Sequence, residues 1–255
     1  MKPVPEDIRK GLAAKFGYDA GALAMLGGGN ESSDGIVYRT DRNGTAYVFK
    51  IIHLEAEKPG LGITTRQRAA FFAYLGRNGV DVIAPEPNAD GNLVEVEVSG
   101  KDAFLAYQYP FADGVNPPPE MWTEELIQAW GRTIGKAHRL TKSYDIWQGI
   151  PSPVAGGANL LSWQAEVESF TCWCPDEDVK AYWRRMGNRL AAMPQNREYQ
   201  GFVQNGPHMQ YILVKEGKVR LIDFDVASCH FYACDLAIAI QSVMLTGASG
   251  MEQPV

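Results

Sequence analysis

The sequence predicts an α+β fold with two lobes: a small, mostly antiparallel sheet lobe over residues 1–109 and a mainly helical lobe over residues 110–255. Two observations predict it. Short apolar runs separated by glycine or Asn-Gly turns fill the first part of the chain, which is typical of strands and hairpins. Longer stretches with helical spacing of apolar residues fill the second part. A chain of 255 residues is long enough for both.

A connector rich in proline and glycine separates the predicted lobes. It begins at Pro110 and includes Gly114 and the run Pro117-Pro118-Pro119. Such residues interrupt both helices and strands. We therefore expect a hinge near Gln108–Gly114.

The first lobe is expected to combine one sheet with two helices. An amphipathic pattern predicts a helix over Asp7–Phe16, and a second helix is predicted over Ile63–Arg77, which ends before a glycine. Asn43-Gly44 is expected to form a hairpin turn between two strands. Apolar or alternating runs predict five strands, at residues 22–26, 36–40, 46–52, 93–98 and 104–107.

The second lobe is expected to consist mainly of helices. Two short β runs, at 212–214 and 219–222, flank a predicted turn at Glu216-Gly217. Residues 151–157 are predicted to form a loop. Helical spacing predicts four helices, at residues 124–140, 162–170, 176–192 and 235–245.

Composition narrows the range of partners. A formal net charge of −6 gives no basic surface of the kind that nucleic acid requires, so nucleic acid is not expected as a partner. No stretch approaches the roughly 18 apolar residues that span a bilayer, so no membrane partner is expected. The N-terminal residues lack the apolar run of a signal peptide, and we expect a soluble cytoplasmic protein. Cys172 and Cys174 do not have the spacing of a zinc site.

Three features follow one another in an order suited to phosphoryl transfer. The first is the run Gly27-Gly28-Gly29, followed by Ser32, between two predicted strands. Glycines and small hydroxyl residues let backbone N–H groups approach phosphate oxygens. A glycine-rich hairpin turn explains the run equally well. A dinucleotide-binding loop does not, because the run leads into a strand and not into a helix.

Lys50 and Asp223 are the other two features. Lys50 lies inside the apolar run at 46–52, where a buried ammonium needs a partner such as a phosphate. An outward-facing lysine on a half-buried strand is the alternative. Asp223 follows the apolar run Leu221-Ile222, and a carboxylate there is a natural ligand for a hard cation. A turn-initiating aspartate is the alternative in that case.

These motifs and the residues around them resemble the aminoglycoside phosphotransferase / choline kinase type of kinase-like family. In that family a catalytic loop precedes a strand, a turn, a strand and Ile-Asp-Phe-Asp, and Tyr-Asp-Leu-Ala follows. This chain has Leu221-Ile222-Asp223-Phe224-Asp225 and Cys234-Asp235-Leu236-Ala237 in register. Runs at 26–29, 48–51 and 135–140 extend the resemblance over nearly the whole chain.

The resemblance implies a two-lobed protein-kinase-like fold that transfers the γ-phosphate of ATP or GTP, with Mg²⁺, to a hydroxyl group of a small molecule. Asp223 would hold the metal, and Asp235 would support the catalytic loop. The nucleotide would contact the glycine run, the strand lysine and the backbone of the hinge. The residues implied in nucleotide binding are Gly28, Gly29, Ser32, Lys50, Gln108, Tyr109 and Phe111.

Several departures from the family pattern occur at positions that carry catalytic or metal-binding side chains in the family. Gly206 aligns with the catalytic aspartate, Tyr211 with the asparagine that binds a second Mg²⁺, and Gln204 with a histidine of the loop. Glycine has no side chain to orient the acceptor hydroxyl, and a protonated phenol is a poor ligand for Mg²⁺. On the helix at 63–77, Arg68 aligns with the glutamate that should face Lys50, and two cations repel each other.

Three interpretations are compatible with this pattern. In the first, the chain is an active phosphotransferase that uses a substitute base, for which His208 and Asp225 are the nearby candidates. Alternatively, it is a pseudokinase that binds nucleotide without efficient transfer, or a disabled copy. Family members normally continue beyond the helix at 235–245 with helices that line the acceptor pocket, so we also expect a truncated C-terminus.

Overall fold

The structure of the protein, a computed structural model, describes residues 3–30, 35–56, 62–145 and 161–246. The chain divides into two compact units, Met1–Asp113 and Gly114–Val255. Among the described residues, the first unit has a five-stranded antiparallel sheet, and the second has four α-helices and two small sheets. The predicted α+β class is confirmed. The predicted loop at 151–157 and the candidate residue Ser32 lie outside the described residues.

The first unit contains the two helices and five strands that the sequence predicts. Helix α2 has the predicted bounds, and the turn between the second and third strands has positive φ at Asn43 and Gly44, as a type I′ turn requires. The elements are α1 (Glu6–Lys15), β1 (Ala24–Gly28), β2 (Gly35–Arg42), β3 (Thr45–Glu55), α2 (Ile63–Arg77), β4 (Glu95–Ser99) and β5 (Asp102–Pro110).

The two faces of this sheet pack against different helices. The strand order is β1-β2-β3-β5-β4, so β3 lies at the centre. α1 packs on the face that contains the fully buried Phe49 and Ile51. α2 begins on the opposite face, where a Cβ on its N-cap residue Gly62 would lie 3.4 Å from Leu105 Cδ2. Lys50 shares that second face, because side chains alternate along a strand.

The second unit is mainly helical. Its helices are α3 (Glu124–Thr141), α4 (Trp163–Trp173), α5 (Glu177–Ala191) and α6 (Tyr232–Thr246). The first three begin at side-chain caps: Thr123, Ser162 and Asp176 each accept a hydrogen bond from the N–H three residues further on. Such caps satisfy N–H groups that have no partner within the helix, which explains where these helices start.

Two two-stranded sheets flank residues 204–211, the segment that aligns with the catalytic loop. β7 (Ile212–Lys215) and β8 (Lys218–Leu221) form the predicted hairpin. β6 (Gln200–Val203) pairs with β9 (Ser228–Phe231), and neither strand was predicted. β7 and β8 are equally short, but a Glu216-Gly217 turn joins them, whereas β6 and β9 are far apart in the sequence and have no such hairpin signal. Because β9 leads directly into α6, that helix begins at Tyr232 and not at the predicted Asp235.

Candidate functional site

Lys50 lies at the middle of β3, the central strand of the first unit. It pairs with Val37 on β2 and with Tyr107 on β5, and it is partly buried. Its neighbours on the same face, Val48 and Ile52, are buried. Lys50 therefore lies on a largely buried, apolar part of this face.

Helix α2 contains Arg68, which the sequence aligns with the glutamate that should face Lys50. Arg68 is partly buried, whereas its neighbour Gln67 is only 2% exposed. The Nε2 atom of Gln67 is buried without a hydrogen-bond partner among the described residues. The more deeply buried of these two positions is therefore an amide.

The glycine run forms the end of β1 and the start of its connection to β2. Gly28 and Gly29 have φ of 80° and 76°, in the left-handed region that favours glycine. A Cβ on Gly28 would lie 2.1 Å from the carbonyl oxygen of Gly35, and the Gly29 N–H donates to that same oxygen at 3.0 Å. Hairpin geometry alone requires glycine at position 28, so phosphate binding by this run stays a prediction.

The predicted hinge residues lie at the end of β5. Gln108 is fully buried: its Oε1 accepts a hydrogen bond from the Tyr18 hydroxyl, and its backbone carbonyl accepts one from the Glu86 N–H at 3.0 Å. Tyr109 pairs with Val48 on β3. These contacts fix the end of the strand, and adenine binding by its backbone stays a prediction.

Phe111 follows β5 and is anchored to the same sheet. Its N–H donates to the Ala46 carbonyl at 3.0 Å, and the Arg39 guanidinium lies 4.5 Å from the centre of its ring. A cation over an aromatic face is a favourable contact. Phe111 is therefore held in place by β2 and β3 of its own unit.

Asp223 follows β8 in the second unit and has a left-handed backbone, with φ of 62°. This conformation costs most residues roughly 1 kcal/mol, although aspartate adopts it more readily than others. The Asp223 Oδ1 accepts a hydrogen bond from the Asp225 N–H at 3.0 Å. Just before it, the Ile222 N–H donates to the Tyr211 carbonyl at 3.0 Å. A partly buried carboxylate is thus held on a defined turn.

Gln204 binds this turn from the loop segment. It is 4% exposed, and its Nε2 donates to the carbonyl oxygens of Ile222 at 2.8 Å and of Asp223 at 3.0 Å. The sequence identified this residue only as a departure from the family's histidine. Its contacts lie 18 and 19 residues away along the chain, so no local pattern could reveal them.

Asp235 holds the same loop from the other side. Its Oδ1 accepts a hydrogen bond from the Asn205 N–H at 2.7 Å, and its Oδ2 accepts one from His138 Nε2 at 2.8 Å. Asp235 is 3% exposed, and Asn205 has φ of 57°. The carboxylate therefore fixes a left-handed loop residue to helices α3 and α6.

Asn205 is also the centre of a polar cluster that the sequence did not predict. Its Nδ2 donates to Glu166 Oε1 at 2.9 Å, and the Ser228 hydroxyl donates to the same oxygen. The Cys234 thiol donates to Asn205 Oδ1 at 3.3 Å. Burial and the nearby carboxylates of Asp235 and Glu166 raise the pKa of Cys234 to about 12, which keeps this donor protonated. All polar atoms of the Asn205 side chain are thereby used to hold the loop.

Gly206 occupies the position that aligns with the catalytic aspartate. Its φ is not among the positive values, so the backbone does not require glycine here. A Cβ on Gly206 would lie 2.8 Å from Cγ2 of Val226, a side chain that is 44% exposed. A side chain at position 206 would therefore require Val226 to shift towards solvent.

His208 packs against Tyr211, with ring centroids 3.9 Å apart. Burial lowers the pKa of His208, against the opposing effect of the Asp223 charge, so the ring is neutral near pH 7. Its Nδ1 accepts a hydrogen bond from the Gln210 N–H at 3.3 Å. The proton of the neutral ring therefore lies on Nε2, which makes that atom a donor and not a base.

Two absences concern residues 3–30, 35–56, 62–145 and 161–246. No group of three or more His, Cys, Asp or Glu side chains in these ranges is arranged to hold a metal ion. None of the helices there is both long and apolar enough to cross a membrane.

Comparison with known families identifies the chain. A family model described as "phosphotransferase enzyme family" matches residues 26–253. The chain belongs to this phosphotransferase family. The match extends from the glycine run through Lys50 and the 204–211 loop to Asp223 and α6, which confirms the family resemblance predicted from the sequence.

Two of the family members that are similar to this chain are amicoumacin kinases. The one from Bacillus subtilis (strain 168) is 23% identical over 243 residues, which are 94% of this chain and 68% of the relative. A solved amicoumacin kinase in complex with AMP-PNP, Ca²⁺ and Ami superposes with a TM-score of 0.81 at 21% identity, over 97% of this chain and 72% of that one.

Other solved members have the same fold. A microcompartment-associated aminopropanol kinase superposes with a TM-score of 0.62 at 15% identity, over 98% of this chain and 82% of that one. A spectinomycin phosphotransferase in complex with ADP and spectinomycin superposes with a TM-score of 0.54 at 15% identity, over 100% of this chain and 82% of that one. At these identities the superpositions establish the fold alone. The predicted kinase-like fold is confirmed, and the chain is related to small-molecule kinases.

Proposed function

We propose that this chain is a nucleotide-binding member of the family in which phosphoryl transfer to a small-molecule hydroxyl is impaired. The environment of Gly206 is the observation that carries the proposal. A carboxylate at the aligned position orients the acceptor hydroxyl. Here the residue has no side chain, and Val226 Cγ2 lies 2.8 Å from where a Cβ would be.

Asp223 supports the metal-binding part of the proposal. Its carboxylate follows a strand, is partly buried and is held on a left-handed turn. Mg²⁺ is usually bound by one or two carboxylates together with phosphate oxygens and water, so a single carboxylate fits this ion. Bound Mg²⁺ would neutralise charge on the phosphates. The observations fit ATP and GTP equally, and both belong to the proposal.

Lys50 supports the phosphate-binding part. It extends from the buried centre of β3, where Val48 and Ile52 flank it. A lysine among buried apolar side chains is favoured when an anion such as a phosphate binds its ammonium group. We assign the nucleotide phosphates to Lys50 and the glycine run, and the base to the backbone of Gln108–Phe111.

Neither candidate for a substitute base has independent support. The neutral ring of His208 has its proton on Nε2, and its Nδ1 already accepts the Gln210 N–H. The N–H of Asp225 is part of the Asp223 turn, which makes the residue a component of the metal-binding segment. We therefore assign the catalytic defect to position 206, with the loss of an asparagine at Tyr211 as a second contribution.

Relatives suggest the class of acceptor. Their names and complexes refer to amicoumacin, aminopropanol and spectinomycin, all small molecules. We extend this class, a small-molecule hydroxyl, to the residual activity of this chain. A cytoplasmic location is part of the proposal, since ATP and Mg²⁺ are both supplied there.

Thermal unfolding with ATP or GTP, each with Mg²⁺ or with EDTA, tests the binding. We expect a Mg²⁺-dependent rise in Tm, because a ligand at a hundredfold excess over its Kd stabilises the folded state by about 2.7 kcal/mol. Phosphate transfer to the three acceptors named above should remain near background. Failure of both nucleotides to raise Tm would contradict the proposal and favour a disabled copy, and efficient transfer would contradict the impairment.

Restoring the loop tests the cause of the impairment. The triple variant Gly206→Asp, Tyr211→Asn, Val226→Ala supplies the carboxylate, the amide and the space that Val226 occupies. Proton transfer by a positioned side chain contributes about 100-fold or more to a rate, and we expect a gain of that order.

The matched controls are the double variant with Val226 retained and the single variant Val226→Ala. The double variant should gain less than the triple one, and the single variant should gain nothing. If the triple variant is folded and binds nucleotide but gains no activity, the defect does not lie at position 206. Loss of residual parental activity in Asp225→Asn or His208→Gln would identify a substitute base.

A further inference from the structure

The amide of Gln204 makes two hydrogen bonds to consecutive backbone carbonyls. Its Nε2 lies 2.8 Å from the carbonyl oxygen of Ile222 and 3.0 Å from that of Asp223. A primary amide has two N–H groups, so both bonds can form at once. Gln204 is 4% exposed, which excludes water as an easy replacement for these donors.

The orientation of this amide follows from the acceptors that face it. Reversal would bring Oε1 against two carbonyl oxygens, and oxygen atoms without a proton repel each other. In the described orientation Oε1 is buried without a hydrogen-bond partner among the described residues. Such an acceptor is unfavourable, so the two donated bonds are obtained in spite of a local cost.

The two hydrogen bonds from Gln204 are accepted by the carbonyls of Ile222 and Asp223, in the turn that holds the proposed metal ligand. Asp223 has a left-handed backbone, which persists only where the surroundings enforce it. One constraint is the Asp225 N–H on Asp223 Oδ1, and another is the Ile222 N–H on the Tyr211 carbonyl. Gln204 restrains the two carbonyls on either side of the Asp223 Cα, which fixes the direction of the Cα–Cβ bond.

The backbone next to Gln204 is held in place by hydrogen bonds to Asp235. The next residue, Asn205, donates its N–H to Asp235 Oδ1 at 2.7 Å, and Asp235 Oδ2 accepts a hydrogen bond from His138. Asp235 is 3% exposed. Hydrogen bonds therefore connect helix α3 through Asp235 to Asn205, and the adjacent residue Gln204 connects the loop to the backbone of Asp223.

We infer that Gln204 is a positioning residue that aims the Asp223 carboxylate at the metal. The inference rests on the proposed function, since it assumes that Asp223 binds Mg²⁺ with the nucleotide. A histidine, which aligns at this position in the family, has at most one N–H to offer to these carbonyls from one ring nitrogen. Glutamine supplies two, so the change at 204 retains support for the metal ligand, unlike the change at 206.

The test is a Mg²⁺ titration at fixed ATP on the full chain, followed by the change in Tm. Gln204→Met removes both donors at similar volume, and Gln204→His retains one. We expect the Mg²⁺ concentration at half-effect to rise about tenfold in the methionine variant, equivalent to 1.4 kcal/mol of lost binding free energy. The histidine variant should remain within about threefold of the parent. ATP binding in EDTA should be unchanged in both.

Thr141→Val is the matched control. Thr141 is 3% exposed, and its hydroxyl donates to the Phe202 carbonyl at 2.6 Å, two residues before Gln204. This variant also removes a buried hydrogen bond to a backbone carbonyl, but not one on the Asp223 turn. Its Tm should fall while its Mg²⁺ dependence stays that of the parent. An equal shift in Mg²⁺ dependence would reduce Gln204 to a structural role and overturn the inference.

The remaining outcomes separate the inference from the proposed function. If the parent shows no Mg²⁺-dependent change with ATP, the proposed function fails and the inference fails with it. If the parent responds and folded Gln204→Met responds identically, the inference alone is overturned.

Should Gln204→Met not fold, the parent itself provides the measurement. The two side-chain amide protons of Gln204, assigned by their absence in Gln204→His, should shift in NMR spectra when Mg²⁺ is added to the ATP-bound protein. Unchanged amide resonances would overturn the inference.

Discussion

Two aspartates of the second unit, Asp235 and Asp223, belong to the same family pattern and have different structural surroundings. Asp235 is 3% exposed, and its two carboxylate oxygens accept hydrogen bonds from Asn205 and from His138. Asp223 is partly buried, has a left-handed backbone, and its Oδ1 accepts a hydrogen bond from the Asp225 N–H within the same turn. Asp235 is held by two other segments of the fold, whereas Asp223 has a backbone conformation that its surroundings must enforce.

This difference distinguishes residues that stabilise the fold, such as Asp235, from residues whose side chains the fold holds in position for a ligand, such as Asp223. Saturation of a buried carboxylate stabilises the folded state but leaves little capacity for a ligand. A restrained backbone at positive φ contributes nothing to stability and is typical of functional positions. Stability and nucleotide binding should therefore respond to different substitutions.

The largest effect on stability is expected at Asp235. Asp235→Ala leaves the partly buried His138 ring and the Asn205 N–H without their acceptor, and the loss of the acceptor of two largely buried hydrogen bonds costs about 3 kcal/mol. Urea unfolding measures the change in free energy. The control is Glu198→Ala, which removes an exposed ion pair with Lys142 and should change stability by about 0.5 kcal/mol or less. Similar losses in both variants would refute the structural assignment of Asp235.

In the first unit, Gly28 and Gly27 are neighbouring glycines of which only Gly28 is required by the structure. Gly28→Ala would place a Cβ 2.1 Å from the Gly35 carbonyl oxygen at positive φ, whereas a Cβ on Gly27 meets nothing within 4 Å. We expect Gly28→Ala to lower the free energy of unfolding by about 2 kcal/mol. Gly27→Ala should have little effect. Equal behaviour of the two variants in urea unfolding would mean that the hairpin does not require glycine.

Asp223→Asn should separate binding from stability. Asparagine retains an oxygen for the Asp225 N–H and tolerates the left-handed backbone, so the free energy of unfolding should stay within about 0.5 kcal/mol of the parent. Its neutral amide is a weak ligand for Mg²⁺, and the Mg²⁺-dependent rise in Tm with ATP should disappear. A variant that keeps this rise would remove Asp223 from the metal site.

The smallest effect concerns pH. Burial lowers the pKa of His230, against the opposing charges of Glu166 and Asp235. The unfolded chain then binds more protons than the folded one just below the ordinary histidine pKa of about 6.5, so stability falls as pH falls from 7 to 5. His230→Gln should flatten the dependence of unfolding free energy on pH in this window. An unchanged slope in urea unfolding at pH 5, 6 and 7 would contradict the burial effect.

The sequence predicted elements well where a local pattern existed. Helix α2 was predicted over Ile63–Arg77 and has those bounds, because apolar spacing and a following glycine define both ends. Strands β6 and β9 were missed because no short turn joins them as Glu216-Gly217 joins β7 and β8, and their pairing is fixed by contacts between distant parts of the chain. The α6 start was misplaced by the same omission.

Site residues, too, could be predicted only where a local sequence pattern marks them. Lys50 and Asp223 could be named from the sequence because each interrupts or follows an apolar strand. Gln204 could be identified only as a departure, since its acceptors at Ile222 and Asp223 lie in another hairpin. The steric role of Val226 next to Gly206 has no signal in the sequence at all.

From the sequence alone came the order of most helices and strands, the family resemblance and the positions at which the family's chemistry is altered, because periodicity and motifs are local properties of the chain. What surrounds each altered position became known only from the tertiary structure. The fold brings the amide of Gln204 to the carbonyls of the Asp223 turn, and it places Val226 Cγ2 close to Gly206. Hydrogen bonds and steric contacts between distant residues depend on distances of a few ångströms, which exist only once the chain has folded.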